Sequence, residues 1–518
     1  MFESSPVLWV LVVPALGAVA IGALGGRGQG IARALAMMAM LLVLALSLRT
    51  FFSFDATGDM HCFDFHAAWM PSLGIPFHVG VDGFNIYLLL LGAILFPVVL
   101  ASSWNAPEMQ RPLYLALLLI LEASLLGTFL AQNLILFFVF WETVLIPMGI
   151  LILVFGGQDR YRAAIAFFMY TLAGSVLLLV AVIALGAEAW RQTGSWSFEL
   201  SVLYNLQLDE RKQMFVFVAI LLACAVKCPL VPFHSWLLPA YYEAPSSASA
   251  IMSGALSKMG ALGILKLALP LAPQAAATAG PYVIGLSVIS ILYGAFLALN
   301  QENYKKLVAY SSLSHMGYVV LGIFTFHEAS IHGSMLQMLS HAMAGAGLFL
   351  LLGKLEEQRV PLDAHGVELA THAPRFAVLL MLFVLTSLAL PLTSGFTAEF
   401  LVLFGTFLHG LQEWRAGMGA GVLFLALLAC LGIVLGAAYM LQFARAILFD
   451  KAQGAQPVRD LRLAELLPFA VPLALILWIG IAPAMLMSKV QATVTQLSAP
   501  GDATHALARR QREEAHGH

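Results

Sequence analysis

Apolar runs of about 20 residues, enough to cross a hydrocarbon layer of about 30 Å at 1.5 Å per residue, recur along nearly the whole chain. None alternates with the period of two that a barrel strand requires. Charged residues, Gly/Pro punctuation and polar clusters divide the runs into helices near 7–25, 31–48, 84–103, 112–131, 133–155, 164–186 and 214–236. Seven more are expected near 247–269, 281–300, 305–325, 329–353, 376–408, 421–444 and 466–487. Three polar interruptions, 50–83, 187–213 and 354–375, separate groups of spans. From about residue 495 the chain turns polar and is expected to be poorly ordered. The first apolar run follows Met1–Pro6 with no basic segment and no small-residue cleavage site, so it is expected to remain as a helix. The pattern predicts an all-α polytopic membrane protein of about 14 transmembrane helices.

Composition strengthens that reading. The 518 residues are 61% hydrophobic and 10% charged, against about 25% charged in a soluble domain. A net charge of −2 gives no footprint for nucleic acid or for an acidic soluble partner. Cys62, Cys224, Cys228 and Cys430 are scattered; Cys224 and Cys228 lie four apart on one helix face and read as packing residues. No His, Cys and acid cluster has metal spacing, and no Gly-rich loop suggests a nucleotide, so neither a metal nor a cofactor is expected in this chain. Basic residues separate sharply between alternate loops. Fourteen fall on one side: Arg27, Arg33, Arg111, Arg160, Arg162, Lys305, Lys306, Lys354, Arg359, Arg375, Arg445, Lys451, Arg459 and Arg462. Five fall on the other: Arg49, Arg191, Arg211, Lys212 and Arg415. By the positive-inside rule both termini are expected on the outer side of the membrane.

Against this background a few ionisable residues stand out. Glu142, Lys227 and Lys258 sit deep inside three separate apolar stretches, and Glu399 inside a fourth. Desolvation penalises the charged form of carboxylate and ammonium alike, so such residues are paired, hydrated or exchanging protons. A relay uses the last option; a static Glu–Lys pair that fixes helix packing is the bland alternative. His315 and His341 are candidate links, with satisfied core histidines as the competing reading. His234 lies two turns beyond Lys227 and shares its face only if the helix is regular. Glu122 is a further buried carboxylate, suited to a link with a neighbouring subunit or to packing. Lys266, near a helix end, is expected to snorkel outward.

The backbone points to the same places. Lys227-Cys-Pro229-Leu-Val-Pro232 puts two prolines beside the lysine, and Leu390-Pro391-Leu-Thr-Ser-Gly395 interrupts the apolar span that carries Glu399. Broken helices in corresponding parts of two halves are characteristic of inverted-repeat transporters. The expected organisation is helices 1–3 in 1–108, a first five-helix repeat (helices 4–8) in 109–270, and a second (helices 9–13) in 271–450. Helix 14 and the polar tail occupy 451–518. Helices 7 and 12 are then the discontinuous fourth members of their repeats.

These residues carry a family resemblance. Phe137-Phe-Val-Phe-Trp141-Glu142-Thr-Val-Leu-Ile-Pro147, Lys227-Cys-Pro-Leu-Val-Pro-Phe-His234-Ser-Trp236, Ser311-Ser-Leu-Ser-His315-Met-Gly317, Ser340-His341 and Gly395-Phe-Thr-Ala-Glu399 occur in collinear order over roughly 80–450. Together they resemble the antiporter-like subunits of respiratory complex I, NADH:quinone oxidoreductase, and among them chain M. The resemblance implies a proton-translocating membrane-arm subunit, with Glu142 and Lys227 as coupling pair, Lys258 as central relay and Glu399 at the exit. His315, His341, His234 and Glu122 are accessory relay candidates. It also implies antiporter-like chains L and N and lipids as neighbours, and a bacterial inner membrane location. NADH, FMN, iron–sulfur clusters and quinone then belong to partner subunits. Glu399 separates this type from chains L and N and from Mrp-type cation/proton antiporters, whose equivalent position resembles a lysine. Trp236-Leu-Leu-Pro239 shifts the proline of the usual pattern, and Ala244–Gly254 also resembles subunits of membrane-bound hydrogenases, a second alternative for the electron-input module.

Overall fold

The computed structural model describes residues 5–24, 28–54, 63–363, 366–451 and 458–498. Helix occupies every expected span. The chain opens with α1 (Pro6–Leu24), α2 (Gln29–Ser53), α3 (Ile86–Ser102) and α4 (Pro112–Leu130), followed by α5 (Leu134–Thr143) and α6 (Leu145–Phe155), which divide one span at Val144. Then come α7 (Arg160–Thr193), α8 (Glu210–Lys227), the short α9 (Leu237–Glu243) and α10 (Ser246–Leu271). The second half holds α11 (Pro273–Leu299), α12 (Tyr304–Phe324), α13 (Glu328–Glu357), α14 (Pro374–Ser387) and α15 (Ser394–Arg415), then α16 (Gly421–Leu448), α17 (Leu463–Ile481) and α18 (Ala484–Ser498). Among the described residues, 12 spans are long and apolar enough to cross a membrane; α3 and α14 are shorter apolar helices.

Local sequence sets the helix starts. Pro112 and Pro374 occupy first helical positions, where a missing amide costs nothing. Asn133 and Asn303 cap α5 and α12 by accepting two backbone amides each. Burial then sorts the helices into a spine and a rim. The apolar windows of α10 and α13 are 100% buried and that of α12 is 94% buried, whereas α16 and α17 bury 22% each. The rim exposes residues such as Phe424 and Leu427, an apolar surface suited to lipid.

Both proline-marked interruptions break the helix ladder. α8 ends at Lys227 and helix resumes at Leu237, with Trp236 Nε1 donating to the Val226 carbonyl at 2.9 Å across the gap. Between α14 and α15, Ala389 and Leu392 adopt positive φ values of 52° and 75°. At Gly480 of α17 a Cβ would lie 2.2 Å from the Leu392 carbonyl oxygen, so only glycine lets α17 close on this break.

Several features differ from the sequence-based expectation. The fold is not purely helical: β1 (Phe65–Met70) and β2 (Ile75–Val79) form an antiparallel hairpin inside the 50–83 interruption, pairing His66 with His78. The strands, six and five residues long, are too short to register against the apolar background. α18 was not anticipated. It extends order to Ser498, carries the Leu486 carbonyl that accepts from Tyr87 Oη, and places Thr495 2.9 Å from Glu328. Met252–Leu256 and Ile264–Ala268 within α10 are π-helical, which composition does not signal. Cys62, Arg27 and the tail from 499 lie outside the described residues.

Candidate functional site

The spine helices bring four of the expected residues into one buried line. Lys258, in the α-helical stretch between the two π-turns of α10, is fully buried. Its Nζ donates to the Ser253 carbonyl at 2.5 Å and to Ser257 Oγ at 3.3 Å, and lies 2.7 Å from His341 Nδ1 of α13. The His341 ring lies 5.4 Å, centroid to centroid, from that of His315 on α12. His315 Nδ1 is 2.9 Å from Glu399 Oε1 on α15. Gln337 of α13 closes the corner, with Nε2 3.0 Å from Glu399 Oε1 and 3.3 Å from His315 Nδ1. Lys258, His341, His315 and Glu399 are each at most 8% exposed.

Close helix approach holds this line. A Cβ at Gly333 of α13 would lie 2.6 Å from the Val402 amide of α15, and Ser340 Oγ meets Ser394 Oγ at 2.8 Å at the first residue of α15. The polar line therefore runs from the buried α10, α12 and α13 to the half-buried α15, which packs closely on α13.

Glu142 and Lys227 lie near the C-terminal ends of α5 and α8. Lys227 Nζ is buried with no hydrogen-bond partner and sits over the Trp141 ring, 5.1 Å from its centroid. Glu142, half-buried, leaves Oε1 without a partner. The two residues do not form a direct hydrogen-bonded ion pair. Trp141 is fixed in turn by donating Nε1 to Ser175 Oγ at 3.1 Å.

The other expected residues fall outside the line. His234 lies beyond the end of α8, so its presumed helical register with Lys227 does not exist, and it packs edge-on against Tyr293. Glu122 is fully buried within α4, with neither carboxylate oxygen partnered, and so is not on a surface open to a neighbour. Lys266 does not snorkel: it is 1% exposed and forms an ion pair with Asp82 at 2.8 Å. Gln337 and Ser253 escaped sequence reasoning because neutral polar residues in a helix carry no charge signal.

A second polar cluster also escaped it. His66, His78 and Glu199 converge with their ligand-type atoms within 4.8 Å of one another, although the spacing 66, 78, 199 matches no metal motif. Burial pulls the His78 imidazole down, but its bonds to Asp64 and Glu199 outweigh that and hold it up at about 9.

Comparison with known proteins agrees with this architecture. Residues 131–423 match the family described as NADH:quinone oxidoreductase/Mrp antiporter, TM. The chain is 36% identical over 474 residues to NADH-quinone oxidoreductase subunit M of Rickettsia typhi, covering 89% of this chain and 91% of the relative. It superposes with a TM-score of 0.83 and 31% identity on a chain of respiratory complex I from Thermus thermophilus with bound NADH, covering 96% of this chain and 99% of that one. A chain of the Mrp complex from Dietzia sp. DQ12-45-1b gives a TM-score of 0.82 at 21% identity, covering 98% and 99%, a likeness of fold alone. Shared identity that runs nearly end to end, through the same helices that carry the buried line, places this chain in the subunit M family of NADH:quinone oxidoreductases.

Proposed function

We propose that this chain is a proton-translocating subunit in the membrane arm of an NADH:quinone oxidoreductase and that its buried line is the proton path. The observation that carries this reading is the Lys258–His341–His315–Glu399 succession, with contacts of 2.7 Å and 2.9 Å at its two ends. The Lys258 ammonium faces a ring nitrogen that can take its proton. His341 passes a proton toward His315 by ring reorientation or through water, and His315 Nδ1 delivers it to the Glu399 carboxylate.

The other members have roles upstream and around the line. His341 Nε2, Gln337 Oε1, Lys227 Nζ and Glu142 Oε1 are buried without protein partners. Such an atom costs about 1–3 kcal/mol unless water serves it, so these four mark where water completes the path. Glu142 and Lys227 act as the coupling pair through their field. Adding or removing a proton at Glu142 changes the charge that Lys227 experiences and, through it, the tendency of Lys258 to release its own.

The same reading assigns two five-helix repeats, 109–270 and 271–450, each broken in its fourth member, with lipids and antiporter-like chains L and N at the flanks. The termini face outward from a bacterial inner membrane. NADH, FMN, iron–sulfur clusters and quinone are assigned to partner subunits. Glu399 in hydrogen-bond contact with His315 favours this function over cation/proton antiport of the Mrp type, for which the resemblance implies lysine.

The test is Lys258→Met in the whole complex, followed by proton pumping in sealed vesicles. Loss of pumping with retained assembly is the expected result. Normal pumping in an assembled Lys258→Met complex overturns the path.

A further inference from the structure

The hairpin cluster lies outside the membrane-spanning helices and belongs to no part of the proposed path. His66 and His78 are directly paired across β1 and β2, with ring centroids 5.2 Å apart. Glu199 reaches them from the loop after α7. Its Oε2 meets His78 Nδ1 at 2.5 Å, while its Oε1 accepts from Asn133 Nδ2 at 3.0 Å. Asp64 Oδ2 takes the opposite side of the same ring, 3.3 Å from His78 Nε2.

The frame is rigid. A Cβ at Gly74, in the hairpin turn, would lie 1.9 Å from the Trp196 carbonyl oxygen, and one at Gly80 would lie 1.8 Å from Asp64 Oδ1. Hairpin and loop are therefore seated directly on each other. The cluster opens into a cavity of about 350 Å³ that Asp82 and Gln132 also line.

From this arrangement we infer a binding site for a borderline divalent transition cation of the zinc class, held by His66, His78 and Glu199. Two imidazoles and one carboxylate form a donor set suited to zinc, with a fourth position left for water. Calcium and magnesium prefer all-oxygen shells and are disfavoured. Asp64, on the far nitrogen of His78, occupies the position of the carboxylate that orients a ligating histidine and fixes its tautomer.

The fit requires small movements. Ligand atoms on a tetrahedral zinc with bonds of about 2.0–2.1 Å lie roughly 3.3 Å apart. The three atoms, all within 4.8 Å of one another, close to that separation by rotation of the exposed His66. The short His78–Glu199 contact opens, because the cation takes the place of the proton shared there. The product is a clip that ties the hairpin to the loop after α7.

The test uses the intact purified complex, stripped with chelator, incubated with zinc chloride, desalted and assayed for metal by mass spectrometry. The unmodified complex is expected to retain one zinc ion more than a His66→Ala complex. X-ray absorption on the difference should report two imidazole nitrogens at about 2.0 Å. His66 is exposed, so assembly is expected to survive; His66→Gln repeats the comparison if the alanine variant does not assemble. A second loss of the same ion in Glu199→Gln supports the carboxylate as a ligand. Equal zinc content in the unmodified and His66-substituted complexes, or a retained ion without imidazole ligands, overturns the site.

Discussion

Replacing Glu399 by glutamine keeps the size and shape of the side chain and removes only its charge and its ability to accept a proton. In the structure its Oε1 receives two contacts, from His315 Nδ1 at 2.9 Å and Gln337 Nε2 at 3.0 Å, and the residue is 4% exposed, so solvent screens little of the difference. A hydrogen bond to a charged acceptor contributes about 1.5–3 kcal/mol, and one to a neutral acceptor about 1 kcal/mol. The His315 bond, weakened by about 1 kcal/mol, disfavours proton transfer at this contact by about 5-fold, and the weaker Gln337 bond loosens the carboxylate's position. Pumping through this point should fall by at least that factor, and quinone-linked turnover should fall with it if the two are coupled.

Aspartate at 399 draws the carboxylate back by about 1.5 Å. That stretches both contacts past hydrogen-bond range but leaves a proton acceptor for water to reach, so part of both activities should remain. Lysine places a second cation beside His315 and should abolish pumping. The assay is fluorescence quenching by a pH-sensitive dye in inverted vesicles, alongside NADH-driven quinone reduction and native-gel assembly. Unmodified pumping in assembled Glu399→Gln and Glu399→Lys complexes refutes the exit role and leaves Glu399 as a cap on the helix break.

Lys227→Ala and Glu142→Ala should each abolish pumping with assembly intact, because either change removes one half of the charge pair; dye quenching reads it, and normal pumping in either counts against the pair. Lys266→Ala strips one partner from Asp82, which keeps its bonds from Phe84 N, Asn85 N and Gln132 Nε2, and should cost about 1–3 kcal/mol, visible as a lower thermal transition of the solubilised complex. A reporter fused after His518 should lie outside the cytoplasm. A cysteine at Lys306 should react with an impermeant reagent from the cytoplasmic side, and the opposite labelling would mean a miscounted helix.

How much of this could be read in the sequence follows from the kind of signal each part gives. The helical membrane architecture was legible because a run of about 20 apolar residues has few other uses, although 12 spans among the described residues meet that length against the 14 expected. Glu142, Lys227, Lys258 and Glu399 were legible because charge in such a run is conspicuous. The prolines at 229, 232 and 391 foretold both breaks. What stayed hidden depends on contacts between distant segments. Gln337 looks like any polar helix residue until it is found between His315 and Glu399. The Trp141 ring under Lys227 was not foreseen because depth along a helix says nothing about which side chain a buried charge meets. Lys266 was misread because its partner, Asp82, lies 184 residues away. The hairpin was missed because its histidines acquire meaning only when opposed across two strands.

The two π-turns of α10 have a consequence for how this helix tolerates change. Each turn accommodates one residue more than an α-turn of the same height, so Met252–Leu256 and Ile264–Ala268 act like spare links on either side of the lysine. Deleting one residue from 252–256 would convert the π-turn into an α-turn of nearly the same sweep and height, so Lys258 would keep its direction toward His341. Inserting one residue at 257, where the backbone is α-helical, has no such slack: Lys258 would swing by about 100° and shift by about 1.5 Å, away from His341. In this stretch the number of residues, as much as their identity, aims the charge, and an insertion that looks harmless in hydropathy would disconnect it.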